Sequence, residues 1–572
     1  MFIGKAVPKE AALKAYITDG ILISLGTRCC AKHLDGNAFK KNTDFSTASL
    51  IEESDLSGIE LANLLNDLRK KANVKNGINF DSSRNDEEYH NLTGLSCEQF
   101  DVLLSYVSAK NSVNRTPRTA LGIFLMRLRT GLSHQVLATL FGFRSRTAIS
   151  KLIASIRNDL ASTFVPNHLG FGHITRAEVI RNHTTKLSST LFADGNENCA
   201  ILVLDGTYIY IEKSSDYSFS KRSYSVHKGR PLVKPMMIVT TSGYIVSVLG
   251  PYLADGKNND ASIIKHIVGS NSEDIVDWME DSDVLIVDRG FQDALDVLNE
   301  CGYKTFMPPF LSKKQQQFTT HEANESRLVT KVRWVVEAVN GRIKQWKFIN
   351  NIIRNTELRF IGQYVNIVCA LCNAFRPDLA ISKEIDETVA HSMLARKDKQ
   401  NKLQSQIELG QFKPGKKWTV ITETEVSDFP KLSESDLREL TFGVYQIKQA
   451  KSYTDEHLKD GQYTISVQQN CPEIVYGLIQ SRHVSKKKYH VWIKYHESGI
   501  VSWYCKCKAG ARVIGCCAHI ASILWYLGLA RHQDYKVQTA KTSYFLDAAA
   551  PCLDTSHTRY VHRISVTMVE MT

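Results

Sequence analysis

Between residues 327 and 348 the chain reads RLVTKVRWVVEAVNGRIKQWKF. Wound at about 100° per residue, this stretch places Val332, Val335, Val336, Val339, Ile343 and Trp346 on one broad apolar face. The other face carries Thr330, Arg333, Glu337, Asn340, Gly341 and Lys344. Such a helix buries its apolar stripe and holds one carboxylate, Glu337, away from it. Upstream the pattern changes to short unbroken apolar runs, as expected of strands buried on both faces. CAILVLDGTYIYIE carries Asp205 inside such a run, and DVLIVDRGF ends one with Asp288. KPMMIVTT and YIVSVLG, separated by Ser-Gly, read as a hairpin between them. DASIIKHIV and QDALDVLNEC return to helical spacing, and YKTFMPP reads as a last strand. Strand, strand, strand, helix, strand, helix, strand, helix predicts a mixed sheet with helices packed on it. In that arrangement Asp205, Asp288 and Glu337 can converge at one edge.

The flanks are patterned differently. Residues 1–90 form a region of unclear fold: 46–75 read as a charged amphipathic helix and 76–90 as a polar linker. Cys29, Cys30 and His33 lie close together, but no second ligand pair is near, so they read as buried or free thiols. Residues 91–165 read as a small helical domain, with Ser96 and Thr116 as N-caps and Pro117 at a first turn. Within it SHQVLATLF turns at Phe141-Gly142-Phe143 and restarts as SRTAISKLIASIRNDL, a helix-turn-helix pattern. Ile149, Leu152, Ile153, Ile156 and Leu160 form the buried stripe of the second helix. Arg146, Thr147, Ser150, Lys151 and Arg157 are left outward, either as a solvated basic face or as contacts to phosphates and base edges. Residues 196–376 hold the mixed sheet, and 377–440 read as linker and helices. Residues 441–535 carry strands at QYTISVQ, YHVWIKYH and VSWYCKC before an apolar helix, and 536–572 are a tail.

Composition narrows the setting. Hydrophobic content of 43% and charged content of 23% are ordinary for a globular protein. The net charge of +12 fits a polyanionic partner. Thirteen scattered cysteines, odd in number, point to reduced thiols with some metal sites rather than a secreted disulfide framework. No apolar run approaches the ~18 residues of a membrane span, and no signal-peptide pattern opens the chain. The reading is a soluble intracellular protein.

Three carboxylates at close range cannot all stay ionised without bound cations. Hard oxygen donors suit Mg²⁺ or Mn²⁺, and two such ions about 3.5–4 Å apart support phosphodiester cleavage. Four segments in order, LVLDGTYIYI, YSVHKGRPLVKPMMIVTTSGYIVSVLGPYLADGKNNDASI, VDRGF and RWVVEAVNGRIKQWKF, resemble the DDE nuclease domain of PIF/Harbinger-like transposases. The resemblance implies an RNase H-like fold over roughly 196–376, with Asp205, Asp288 and Glu337 as the metal-binding acidic triad. Asn259 and Asp260 also fall on matching residues, though Asp260 reads as the N-cap of the helix ASIIKHI. In residues 211–234, Lys221, Arg222, Lys228 and Arg230 alternate with Tyr217, Phe219 and Tyr224, which suits either a solvated loop or an entering DNA backbone.

Near the C-terminus, Cys505 and Cys507 alternate along a strand and so share a face, and Cys517 and His519 open a helix. Four N/S ligands in this spacing fit tetrahedral Zn²⁺ in a closed, structural site. Cys516 can replace Cys517 in another register. The pattern resembles the SWIM zinc finger over roughly 485–530, a small ββα unit. The 91–165 segment likewise resembles the helix-turn-helix that precedes the nuclease in the transposase family. Together the resemblances imply a transposase that binds terminal inverted repeats and target DNA, cleaves and rejoins it, and works as a homo-oligomer in the nucleus. A Myb-like accessory DNA-binding protein is a further implied partner. The other reading of the same modules is a host-adopted, non-cleaving DNA-binding or adaptor protein.

Overall fold

The computed structural model describes residues 4–43 and 78–535, apart from the stretches 109–115, 422–425 and 459–464 and a few single or paired positions. The amphipathic helix expected over 46–75 and the tail 536–572 lie outside the described residues.

The first core is helical. Asp86–Thr93 and Cys97–Leu104 both open on capping boxes, Asn85 with Glu88 and Ser96 with Gln99. The expected linker 76–90 is therefore partly a helix, and its apolar residues are anchors. Phe80 and Tyr89 are buried, with Phe80 stacked on Phe100 at 5.7 Å between ring centroids. Phe80 lies so close to helix Pro117–Thr130 that a Cβ on Gly122 would come within 2.1 Å of its ring. Two aromatic anchors in a polar stretch have no periodicity, so no pattern announced them. Helices His134–Leu140 and Arg146–Thr163 follow, separated by a turn in which Gly142 has φ +70°. Ile149, Leu152, Ile153, Ile156 and Leu160 are all buried, as their spacing predicts.

Five of the seven strands of the central sheet form its frame: β1 (Ile201–Gly206), β2 (Arg230–Thr240), β3 (Ile245–Tyr252), β4 (Val284–Ile286) and β5 (Lys304–Phe306). Their order is β5-β4-β1-β2-β3. β5, β4 and β1 run parallel, while β2 is antiparallel to β1 and forms a hairpin with β3. This mixed sheet fits an RNase H-like domain. Helix Thr320–Ile343 lays Val332, Val335, Val336, Val339 and Ile343 into the core on one sheet face. The same core takes in the N-terminal helices, so the helical region packs directly on the sheet instead of standing apart. Asn355–Phe375 is apolar and long enough to cross a membrane, contrary to the expectation that no segment comes near. Here it is a core helix, with Ile361, Tyr364, Ile367 and Val368 buried in that cluster.

The C-terminal region is larger than the expected ββα unit. Trp418–Ile421, Ile465–Gln468, Cys471–Gln480, Lys488–His496 and Gly499–Cys505 pair antiparallel in sequence order as a five-stranded sheet. Its first strand and the helix Lys402–Glu408 come from the expected linker. Leu403 and Ile407 pack against Trp492 and Tyr504, and Asn401 donates to the carbonyls of Trp503 and Ala511. Strand Cys471–Gln480 escaped the sequence pattern because Pro472 and Gly477 punctuate it. Gly477 lies close under the helix above: a Cβ there would come 3.1 Å from the Ile523 side chain.

Candidate active site and metal-ligand cluster

Asp205 is the next-to-last residue of β1, where the strand leaves the core, and its side chain is 14% exposed. The long helix crosses beside it. Asn340 donates to Asp205 Oδ2 at 3.0 Å. Arg333 lies between the two acids, with Nη1 3.9 Å from Asp205 Oδ1 and Nη2 donating to Glu337 Oε1 at 2.9 Å. The helix face opposite its apolar stripe is thus turned partly toward the sheet edge, which is why Asn340 is buried. Glu337 itself is 57% exposed. Asp288 follows β4 by two residues and caps the turn Arg289–Ala294, accepting from Arg289 N at 2.7 Å. Arg289 in turn lies near the rings of Phe310 and Phe318.

A fourth acid joins them. Asn259, not Asp260, caps helix Asp260–Gly269 by accepting from Ser262 N. Asp260 instead turns inward, its Oδ1 2.6 Å from the buried Lys234 ammonium. Its carboxylate fills the space over Gly206 and Gly290: a Cβ there would sit 2.9 and 2.8 Å from its two oxygens. Both glycines flank the Asp-Gly and Asp-Arg-Gly sequences, so only a backbone without side chains leaves room for Asp260. An N-cap at 259 and a site residue at 260 differ by one position, and capping preference alone cannot separate them.

Burial pushes the Asp205 carboxyl up to about 7, with Glu337, Asp288 and Asp260 adding repulsion and Arg333 opposing. Burial and the same four acids push the Tyr208 phenol up to about 12. An acid held this high among others is a position where a cation relieves charge, and four oxygen-donor side chains match the preferences of Mg²⁺ and Mn²⁺. Among the described residues the carboxylates do not gather as tightly as the thiol cluster described next. Arg333 supplies positive charge between Asp205 and Glu337.

The basic residues expected around 211–234 are all exposed, on helix Tyr217–Ser223 and the strand start after it. Lys228 lies 4.8 Å from the Tyr208 ring centre and Arg230 lies 4.7 Å from that of Tyr210. Lys221 carries no acid partner among the described residues, while Arg222 pairs with Asp255 at 3.1 Å. Arg146, Ser150 and Lys151 are exposed on their helix. Arg157 is not on that face. It is 4% exposed, with its guanidinium 3.5 Å from the Phe360 ring centre. The helix winds it round toward the segment after residue 350, a neighbour that helical spacing cannot reveal.

The second cluster is closed. Ligand atoms of Cys505, Cys507, Cys517 and His519 lie within 4.8 Å of one another, and all four residues are buried. Cys517 is the N-cap residue of helix Ala518–Gly528. Nε2 of His519 is buried without a hydrogen-bond partner. Cys516 stays outside the group, its thiol pushed up to about 12 by burial. A Cβ on Gly510 would meet the Cys505 carbonyl at 2.1 Å, so the loop can close only with glycine there. The long helix reaches this loop too. Gln317, just before it, donates to the carbonyls of Cys505 and Cys507 at 2.6 Å. Asn324 Oδ1, on its second turn, accepts from the backbone of Val513 and Ile514. Cys29 and Cys30 are free thiols, and with His33 they form no such cluster among the described residues.

Residues 204–373 match the family model of the DDE superfamily endonuclease. The matched stretch holds Asp205, Asp260, Asp288 and Glu337, all five strands but for the first residues of β1, and the long helix, and it supports a nuclease of the DDE class. The N-terminal helices and the C-terminal sheet lie outside it. No curated protein and no solved structure matches the chain.

Proposed function

We propose that the protein is a DNA transposase of the PIF/Harbinger kind whose cleavage site is built by Asp205, Asp288 and Glu337. The observation that carries this is the buried, proton-prone carboxyl of Asp205 facing three other acids inside the matched nuclease stretch. Mg²⁺ or Mn²⁺ held there would activate a water or 3′-hydroxyl and stabilise the leaving oxygen. The chain's own part is orientation. Asn340 fixes one oxygen of Asp205, Arg333 spans Asp205 and Glu337, and Lys234 anchors Asp260. Lys221, Arg222, Lys228 and Arg230, which follow the Asp205 strand in the chain, would hold the DNA backbone. Arg146, Ser150 and Lys151 would read terminal inverted repeats. Cys505, Cys507, Cys517 and His519 would hold one structural Zn²⁺, the closed coordination that buried thiolates and imidazole favour. A nuclear, homo-oligomeric enzyme, with target DNA and a Myb-like accessory protein as partners, completes the reading. Metal-dependent nicking of terminal-repeat DNA by the full chain tests it. Retained binding with no nicking in Mg²⁺ or Mn²⁺ would instead assign the non-cleaving adaptor.

A further inference from the structure

A cleft of about 850 Å³ opens between helix Arg146–Thr163 and the segment 351–360. Five arginines line it against two glutamates, Glu212 and Glu357. Glu357 is already committed, accepting from Arg127 at 3.0 Å and from the Tyr364 hydroxyl at 3.1 Å. Arg157 has no carboxylate partner among the described residues, although it is 96% removed from solvent. Its only polar contacts are long, 3.5 Å to Tyr364 and 3.4 Å to Asn158, and its Nε has none. A buried guanidinium without an acid is costly to keep, and an anion entering the cleft would relieve it. Arg146 and Arg354, on opposite walls, also lack acid partners among the described residues. Beside them His134 is pushed down to about 4 by burial, helped by Arg127, Arg146 and Arg354.

We propose that this cleft takes unpaired DNA, gripping a backbone phosphate between Arg157 and Arg354. The volume suits one or two nucleotides and excludes a duplex, lying in the range of ordinary small-ligand clefts. Guanidinium forks suit phosphate, and their planes suit bases. The guanidinium groups of Arg157 and Arg359 both lie over the Phe360 ring, 3.5 and 4.5 Å from its centre. The chain itself links the acids to the cleft. Past Asp205 the chain carries Tyr208 under Lys228 and Tyr210 under Arg230. It then reaches Glu212, which lines the cleft and whose backbone pairs with Ile353. A strand leaving the carboxylates along these aromatic and cationic residues would be led toward the cleft. The inference deepens the DNA-processing reading and rests on it for its ligand. It does not require cleavage.

The test is fluorescence anisotropy with the full chain, using an eight-nucleotide oligothymidylate, a blunt duplex, and that duplex with a four-nucleotide overhang. Arg354→Glu should weaken single-strand and overhang binding at least tenfold and lower the salt slope by about one, while blunt-duplex affinity changes less than twofold. Arg157→Lys, which keeps charge and stem but removes the fork, should reproduce the loss at smaller size. An oligothymidylate that the wild type does not bind, or that Arg354→Glu binds unchanged, would overturn the proposal. So would a parallel loss on the blunt duplex, because the arginines would then belong to a duplex surface. Absent nicking with these binding differences intact would remove the transposase reading and leave the cleft standing.

Discussion

The carboxylate group and the thiol–imidazole group of this protein are built on opposite principles. The carboxylates sit at the open end of a sheet, with Asp205 largely buried, Glu337 largely in solvent, and arginine and lysine held between them. The thiols and imidazole sit in a closed core, all four buried and within 4.8 Å of one another. Hard acids with room around them suit an ion that must meet water and substrate. Soft ligands with no open side suit an ion that only holds chain together. One helix serves both: its first turns fasten the cysteine loop through Asn324, and its later turns carry Arg333, Glu337 and Asn340.

The largest expected effect separates chemistry from folding. Asp205→Asn, Asp288→Asn and Glu337→Gln each remove a proposed metal ligand at nearly constant volume. Losing several kcal/mol of charge stabilisation should cut nicking on the order of 1000-fold or more, with thermal stability and DNA binding kept. Full activity in any one of them would take that residue out of the site. The closed cluster should fail the other way. Cys507→Ser, or a strong chelator, should unfold the C-terminal sheet, because metal binding supplies much of the folding free energy at such sites. Circular dichroism and zinc content would report it. Cys516→Ser should retain close to one zinc; a folded, zinc-loaded Cys517→Ser protein would shift the ligand set by one residue.

Asp260 sharpens the contrast further, since in the proposed site its role would be electrostatic. Asp260→Asn should slow nicking about 10–100-fold and move the acidic limb of the pH–rate profile downward, because one of the charges holding Asp205 protonated is gone. An unchanged limb would reduce Asp260 to packing. A smaller effect concerns stability without divalent metal. The Asp205 carboxyl is held above its unfolded value, so the folded state keeps the proton longer and stability falls as pH rises from about 4 to about 7. Melting temperatures across that range should show a steeper decline for wild type than for Asp205→Asn. Equal slopes would mean that the site is already neutralised. Smallest of all, Lys151→Ala should weaken duplex binding with a salt slope lower by about one and leave the melting temperature alone.

Periodicity and composition determined a good deal. The order of the main strands and helices from 201 to 343 was written in runs of apolar residues, because a strand buried on both faces tolerates little else, although helix Tyr217–Ser223 was not. The apolar stripe of the Glu337 helix and the spacing of Cys505, Cys507, Cys517 and His519 were equally plain. Tertiary structure decided what depends on neighbours distant in the chain. Phe80 and Tyr89 became core through Gly122 and Phe100, Asp260 entered the site through the bare backbones of Gly206 and Gly290, and Arg157 turned from the outer face to Phe360. Each is a single side chain whose surroundings come from another element. A local pattern records which face of a helix or strand is apolar, but not what that face, or the residue beside it, will meet.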